Sequence, residues 1–168
     1  NERLRKIIDD YIVISDETVA KVLLDKKSPF LRSVVINKGS KDNIKLGMSV
    51  LDGNYLVGKV VEVNYLSSRI LLLSDLNSKI PIIVEPGGIH SILSGSGKDY
   101  GMIQYTKEEY TVDHNSIIYT SGSGGIFKSG IPIGIVKIQS NNEKKVEFYS
   151  DFSQLEFVKI ISYTKDTN

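Results

Sequence analysis

The chain has 168 residues, and its 21 lysines and arginines against 20 aspartates and glutamates leave a net charge of only +1. A chain this close to neutral has no overall positive electrostatic field to attract a polyanion. The charge therefore disfavours a general nucleic-acid binder. Hydrophobic residues make up 40% of the sequence, enough for a buried core, and the absence of cysteine excludes disulfide frameworks, thiol nucleophiles and cysteine metal sites.

Isoleucine and valine dominate the apolar residues, with 22 Ile and 15 Val against a single alanine, Ala20. β-branched side chains are stiff at χ1 and suit strands, whereas alanine is the best helix former. The composition therefore predicts an all-β protein and excludes a mostly helical one. No apolar run approaches the roughly 18 residues of a membrane span. Because the chain begins at Asn1 and not at methionine, we interpret it as a piece of a longer protein.

Residues 1–14 carry the one convincing helical pattern. Charged residues surround four apolar side chains that recur at spacings of three and four: Leu4, Ile7, Ile8 and Tyr11. A helix of about three turns is marginal alone in water, so it needs a packing partner. Two interpretations stay open, namely a helix packed on its own domain and the end of a dimeric coiled coil.

After this helix, short apolar runs alternate with turn residues, and no helical pattern separates them. Asp52 and Gly53 form a pair that favours a tight hairpin turn between two of these runs. Many short strands at near-even spacing predict a β-sandwich or small barrels, and so many strands are more than one small barrel needs. The polar stretch 107–115 is a candidate boundary or a long surface loop. The predicted strands span residues 19–24, 31–36, 48–51, 55–63, 70–73, 80–84, 89–93, 102–105, 117–119, 133–138, 145–149 and 155–161.

Residues 53–59 spell G-x-x-x-x-G-K, the beginning of a phosphate-binding P-loop. A P-loop then needs serine or threonine to hold magnesium, whereas the residue after Lys59 is Val60. The match also crosses a predicted hairpin and does not join a strand to a helix. We therefore interpret Gly53 as a turn residue and Gly58 as the mark of a bulge or a close backbone approach.

Residues 121–125, Ser-Gly-Ser-Gly-Gly, suggest a nucleophile loop or an anion-binding nest, but they satisfy neither G-x-S-x-G nor G-x-G-x-x-G. A serine hydrolase would need Ser121 or Ser123 within reach of a histidine base. The two histidines are His90, in a predicted strand, and His114, in a polar loop. We interpret the glycines as allowing a crowded turn with positive φ. Metal-ligand spacing is also missing, so neither a metal nor a cofactor is expected.

Exposed tyrosines are the other candidate for binding chemistry, because their rings can stack against an extended ligand. A row of exposed rings along one groove would favour a glycan-binding barrel, whereas rings scattered through the cores would argue against it. The basic residues do not cluster, so no nucleic-acid partner is expected. The tyrosines considered are Tyr100, Tyr105, Tyr110 and Tyr119.

Residues 118–134 read IYTSGSGGIFKSGIPIG and are the most specific of several segments that carry a family resemblance. They are similar to the glycine-rich signature of the MreC family of bacterial rod-shape-determining proteins, and the segments resemble, in order, the barrel region of that family. Lys128 departs from the pattern, since the family often has proline there, and residues 107–115 match nothing in it. The other similar segments are residues 28–40, 44–63, 67–78, 92–97 and 151–158.

The resemblance implies two small β-barrels with a topology related to trypsin-like proteases, preceded by a short N-terminal α-helix that ends a coiled coil. By family analogy, residues 29–104 form the first β-barrel, and residues 18–26 plus 105–163 form the second. Residues 1–14 would then be the end of the coiled coil. The dimerisation contacts implied are Leu4, Ile8 and Tyr11.

The resemblance further implies a non-catalytic scaffold of the cell-elongation machinery. Its expected partners are a class B penicillin-binding transpeptidase, MreD, RodA, the MreB complex and further copies of itself in a dimer or filament. It would work on the extracytoplasmic side of the bacterial cytoplasmic membrane, anchored by a segment missing from this chain.

We expect the transpeptidase contact at apolar, at least partly exposed side chains around the glycine-rich turn, which are Ile126, Phe127 and Ile131. In the opposite interpretation, Phe127 plugs the mouth of its own barrel. Two other functions stay open: a barrel module that binds a cell-wall glycan or another extended ligand, and a hydrolase with an unrecognised site.

Overall fold

The structure, a computed structural model, describes residues 17–23, 32–104, 112–122, 128–140 and 143–161. These ranges hold twelve β-strands and two single-turn 3-10 helices, Ser40–Asp42 and Phe152–Gln154, which confirms the predicted all-β class. The predicted helix over residues 1–14 lies outside them. The strands are β1 (Glu17–Leu23), β2 (Ser33–Ile36), β3 (Ser49–Asp52), β4 (Tyr55–Val63), β5 (Ser68–Leu72), β6 (Lys79–Glu85), β7 (Ile89–Gly95), β8 (Gly101–Gln104), β9 (Ile117–Thr120), β10 (Pro132–Ile138), β11 (Lys144–Phe148) and β12 (Phe157–Ile161).

The strands close into two barrels, as predicted. The first barrel has the order β1-β12-β3-β4-β5-β2, and the second has the order β10-β11-β8-β7-β6-β9. Every neighbouring pair in them is antiparallel. Buried and more exposed positions alternate along strands such as β6, because successive side chains point into and out of the barrel. Among the twelve strands that the structure describes, closure leaves none at an unpaired sheet edge.

The chain divides between the barrels differently from our expectation. We expected residues 29–104 in one barrel and residues 18–26 with 105–163 in the other. Instead β6, β7 and β8 join β9 and β11 in the second barrel, whereas β12 pairs with β1 and β3 in the first. The second barrel is thus a continuous stretch inserted between β5 and β12. The expected boundary came from the family analogy and was wrong. The residue pattern could not correct it, because alternation reveals which face of a strand is buried but not which strand pairs with it.

Each barrel has its own apolar core, and the two cores meet at a junction. Leu51 and Leu56 lie on strands of the first barrel but pack with the core of the second, so the barrels share a buried apolar contact. The first core consists of Ala20, Ile36, Ile44, Val50, Val57, Val60, Ile70, Val158 and Ile160. The second adds Leu73, Ile80, Ile82, Val84, Leu93, Val112, Ile118, Ile131, Ile133, Val136 and Val146.

The β3–β4 hairpin turns through Gly53 and Asn54, between the paired residues Asp52 and Tyr55. Gly53 has a φ of +61°, a conformation that favours glycine. The sequence therefore predicted the hairpin correctly and placed its turn one residue early. The G-x-x-x-x-G-K match lies across this hairpin and continues into β4, without the helix that a P-loop requires.

Gly58 pairs with Val50, and the register of β3 and β4 shifts between this pair and the next one, Leu51 with Leu56. A Cβ atom at Gly58 would collide with the carbonyl oxygen of Leu71 on β5. Both features predicted for this glycine, the bulge and the close backbone approach, are confirmed.

A buried carboxylate joins the two barrels at the connector between β5 and β6. Asp75 is fully buried; its Oδ2 accepts from the Arg32 backbone N–H at 2.7 Å, and its Oδ1 accepts from the Asn77 N–H at 2.7 Å. The Arg32 guanidinium donates to Ser74 Oγ at 3.0 Å and to the carbonyl oxygen of Gly97 at 3.3 Å. The approach to β2, the connector and the turn after β7 are thus tied together.

Replacing Asp75 should destabilise the protein strongly. Asp75→Ala leaves the backbone N–H groups of Arg32 and Asn77 without their acceptor at a fully buried position, and we expect the free energy of unfolding to fall by about 3 kcal/mol. Urea unfolding followed by circular dichroism measures this change. Asp99→Ala, at an exposed turn position, is the control and should stay within about 0.5 kcal/mol of the parent. Equal losses in the two variants would contradict the assigned role of Asp75.

Two glycine substitutions separate a steric requirement from a conformational one. Gly58→Ala must push apart β4 and β5, and we expect a loss of about 2–3 kcal/mol. Gly53→Ala has nothing within 4 Å of the added Cβ, so it meets only the strain of positive φ, about 1 kcal/mol. Urea unfolding of both variants checks the ranking. A larger loss for Gly53→Ala than for Gly58→Ala would show that the Leu71 approach is not the constraint.

Candidate interaction surfaces

The glycine-rich turn between β9 and β10 is held by Thr120, which is fully buried at the end of β9. Its hydroxyl donates to the carbonyl oxygen of Lys128 at 2.5 Å and accepts from the Ile131 N–H at 3.0 Å. The Gly130 N–H donates to the Thr120 carbonyl oxygen at 2.8 Å. Gly122 and Gly130 have φ values of +75° and +83°, which confirms the predicted positive-φ turn. These bonds bring the two ends of the turn together on the second barrel.

One of the three predicted partner contacts, Ile131, is wrong. Its side chain is only 6% exposed and packs in the core of the second barrel, so it cannot meet a partner. Its backbone bond to Thr120 places it where β10 begins and not on the turn. The other two, Ile126 and Phe127, lie outside the described residues. So do the predicted dimerisation residues Leu4, Ile8 and Tyr11.

The end of the turn lies beside the first strand of the other barrel. Burial lowers the pKa of Lys128, and the carboxylate of Glu17, where β1 begins, opposes that shift. Glu17 Oε1 also lies 3.6 Å from Nζ of Lys159 on β12. The described end of the glycine-rich turn, at Lys128, is therefore close to the beginning of β1 at Glu17.

Three tyrosines from the two barrels converge at the junction, and we call Tyr55, Tyr119 and Tyr149 the tyrosine cluster. The rings of Tyr55, on β4, and Tyr149, just after β11, have centroids 5.0 Å apart and planes tilted by 38°. Their side chains stay 40% and 39% exposed. Burial raises the pKa of Tyr149, and the nearby Tyr119 and Tyr55 raise it further. The Tyr149 hydroxyl is therefore protonated and able to donate at neutral pH.

The sequence predicted only part of this cluster. Tyr119 was among the stacking candidates, but Tyr55 and Tyr149 were missed, because only the packing of the barrels brings them together. Tyr100 has a different contact, with Nζ of Lys145 lying 4.4 Å from the centroid of its ring. The remaining candidates, Tyr105 and Tyr110, are outside the described residues.

A second group of exposed apolar side chains lies at one end of the first barrel, and sequence analysis did not identify it. The turns that carry the group are joined by backbone bonds from Gly47 to Val60 at 2.8 Å and from Lys41 to Tyr65 at 3.1 Å. Exposed apolar groups of this kind mark interaction sites. Its members, exposed by between 38% and 68%, are Leu46, Val61, Tyr65 and Leu66, which we call the barrel-end patch.

The histidines give no support to the hydrolase alternative. The Nδ1 atom of His114 accepts a hydrogen bond from the Ile138 backbone N–H at 3.1 Å, which is a turn contact. His90 is exposed on β7, paired with Ile83. Among the residues that the structure describes, no group of three or more His, Cys, Asp and Glu side chains could hold a metal ion. None of the helices in these ranges has the length and apolar character needed to cross a membrane.

Comparison with known proteins agrees with the barrel architecture. The family described as rod shape-determining protein MreC, barrel core, matches residues 22–162. The cell shape-determining protein MreC of Cereibacter sphaeroides is 33% identical over 140 residues, which cover 83% of this chain and 47% of that protein. The chain spans about half the length of the curated relatives it matches.

Solved structures show the same fold. The crystal structure of MreC from Pseudomonas aeruginosa has a TM-score of 0.80 at 26% identity, covering 88% of this chain and 99% of that one. A complex between penicillin-binding protein PBP2 and MreC from Helicobacter pylori matches with a TM-score of 0.62 at 13% identity, covering 88% of this chain. Because the family pattern extends over both barrels and the solved relatives share their architecture, the chain belongs to the MreC family of cell shape-determining proteins.

Proposed function

We propose that this chain is a non-catalytic scaffold of the cell-elongation machinery that binds and activates a class B penicillin-binding transpeptidase. The observation that carries the proposal is its family membership, together with the relative from Helicobacter pylori, whose structure is a complex with PBP2. A barrel pair that binds one state of the transpeptidase better than the others shifts the enzyme's population toward that state.

A scaffold that binds one conformation of its partner must keep its own conformation while the partner's conformation changes. Three contacts between the barrels support this requirement: the burial of Leu51 and Leu56, the bonds of Asp75, and the ring contact of Tyr55 with Tyr149. Closely packed interiors transmit strain and do not absorb it. The free energy of binding then shifts the conformation of the transpeptidase, because it is not spent on deforming the barrels.

In this proposal the transpeptidase contacts Ile126 and Phe127 of the glycine-rich turn. The described ends of the turn support the assignment, because the Gly130 N–H donates to the Thr120 carbonyl oxygen, so the turn leaves and rejoins the second barrel at one place. Aromatic residues are favoured as the central contacts of protein interfaces. Ile131 is no longer part of this site because it is buried.

The wider assembly follows the same proposal. The scaffold works on the extracytoplasmic side of the cytoplasmic membrane, anchored through a segment absent from this chain, with MreD, RodA and the MreB complex as further members. The curated relatives are about twice as long as this chain, which leaves room for such a segment. Self-association into a dimer or filament uses Leu4, Ile8 and Tyr11.

Titration calorimetry of this chain with the extracytoplasmic part of the same organism's class B transpeptidase tests the partner and the site. We expect saturable binding at micromolar affinity. Phe127→Asp should raise the Kd at least tenfold, about 1.4 kcal/mol, because it removes an apolar anchor. Phe157→Asp makes the same chemical change at a side chain 56% exposed on β12, and it should leave the Kd unchanged.

Circular dichroism and thermal unfolding verify that both variants are folded. Equal affinity of Phe127→Asp and the parent would reject the site and keep the function. If neither the chain nor a version dimerised through an added coiled coil binds, the transpeptidase is not the partner.

Sedimentation equilibrium tests the dimerisation contacts. The parent should associate reversibly, and Leu4→Asp combined with Ile8→Asp should shift it to monomer, because charged side chains at the seam lose the apolar contact. Lys6→Asp introduces the same side chain away from the seam and should preserve association. A parent that stays monomeric at all concentrations would contradict the assignment.

A further inference from the structure

The tyrosine cluster has no role in the proposed contact with the transpeptidase. A single exposed tyrosine needs no explanation, because folded proteins expose much apolar surface. Here, however, the rings of Tyr55 and Tyr149 come from two separately closed barrels and contact each other while each stays about two fifths exposed. Tyr119 lies near enough to raise the pKa of Tyr149. The cluster is therefore an aromatic surface of fixed geometry.

Backbone pairing fixes the relative positions of the chain segments that carry Tyr119 and Tyr149. Tyr119 on β9 is paired with Pro132 on β10, and the Tyr149 N–H donates to the neighbouring Ile133 carbonyl oxygen at 3.1 Å. The backbones of Tyr119 and Tyr149 thus lie on either side of β10. Two strand spacings separate these backbones by about 10 Å. Tyr55 extends the surface from the first barrel. A ligand longer than one ring can span it.

The chemistry of these side chains suits a carbohydrate. The face of an aromatic ring carries partial negative charge, and the tyrosine hydroxyl both donates and accepts hydrogen bonds. A pyranose ring offers the complementary pair, a face of weakly positive C–H groups and an edge of hydroxyls. Asp52 and Asn54 adjoin Tyr55 in the hairpin turn and add a carboxylate and an amide for such hydroxyls.

The barrel-end patch differs in composition from the tyrosine cluster. The difference indicates that the patch suits a protein and the cluster a carbohydrate. Three of its four members are aliphatic, as expected for contact with an apolar protein surface. The tyrosine cluster instead combines aromatic faces with hydroxyls and neighbouring polar turn residues. We propose that the tyrosine cluster is a carbohydrate-binding site for a linear glycan of linked pyranose rings. This function is additional to the scaffold role and does not rest on it.

Titration with chitotetraose and cellotetraose, followed by NMR of the folded chain, tests the site directly. We expect saturable shifts of the Tyr55, Tyr119 and Tyr149 ring signals. Tyr149→Ala and Tyr119→Ala should weaken binding at least tenfold. Tyr149→Phe should weaken it less, because the ring face remains. Tyr65→Ala removes a tyrosine that is 66% exposed in the barrel-end patch and should leave the affinity unchanged.

The proposal is overturned if neither oligosaccharide produces saturable shifts, or if Tyr65→Ala weakens binding as much as Tyr149→Ala does. Loss of transpeptidase binding in Tyr149→Phe, without any response to the sugars, would make the cluster a protein contact and also overturn it. Should the alanine variants fail to fold, the ring shifts of the parent and the Tyr149→Phe comparison decide. Transpeptidase calorimetry is independent of these results, so each function can fail alone.

Discussion

The buried carboxylate of Asp75 is the constraint on which the arrangement of the two barrels depends. A charge removed from water is costly unless hydrogen bonds replace its hydration. Here the replacements come from Arg32 ahead of β2 and from Asn77 in the connector. The Arg32 guanidinium then reaches the carbonyl oxygen of Gly97 in the second barrel. The network is complete only when both barrels are in place, so folding and relative orientation are coupled.

This coupling determines which surfaces form a unit. The tyrosine cluster takes residues from both barrels, and the glycine-rich turn of the second barrel adjoins Glu17 of the first. Both surfaces would be altered by a change in the angle between the barrels. The barrel-end patch lies on the first barrel alone and would be unaffected by it. The paired barrels can therefore hold ligands of the tyrosine cluster and of the glycine-rich turn at fixed relative positions. The barrel-end patch does not depend on the angle between the barrels.

The two proposed functions complement each other physically. A scaffold that holds the transpeptidase at one surface and a glycan at another raises the concentration of each near the other, without any new contact between them. Neither interaction then needs to be tight by itself. Weak, separate sites also allow the assembly to move along a polymer, since each contact can release and rebind.

The sequence by itself determined the local features of this protein. The excess of isoleucine and valine over alanine predicted an all-β chain, and the spacing of turn residues located the strands. The positive-φ glycines of the turn after β9 could be predicted as well, because each depends on the backbone within a few residues. Gly58 could be predicted as an irregular position of its strand, although the atom that requires a glycine there, the Leu71 carbonyl oxygen, lies on β5.

Only the tertiary structure decided which strands share a barrel, that Ile131 is enclosed, and that Tyr55 meets Tyr149. The physical reason is the same in each case. Alternation and turn chemistry are set by neighbours along the chain, whereas the return of β12 to β1 and the junction of the barrels are set by contacts between residues far apart in sequence.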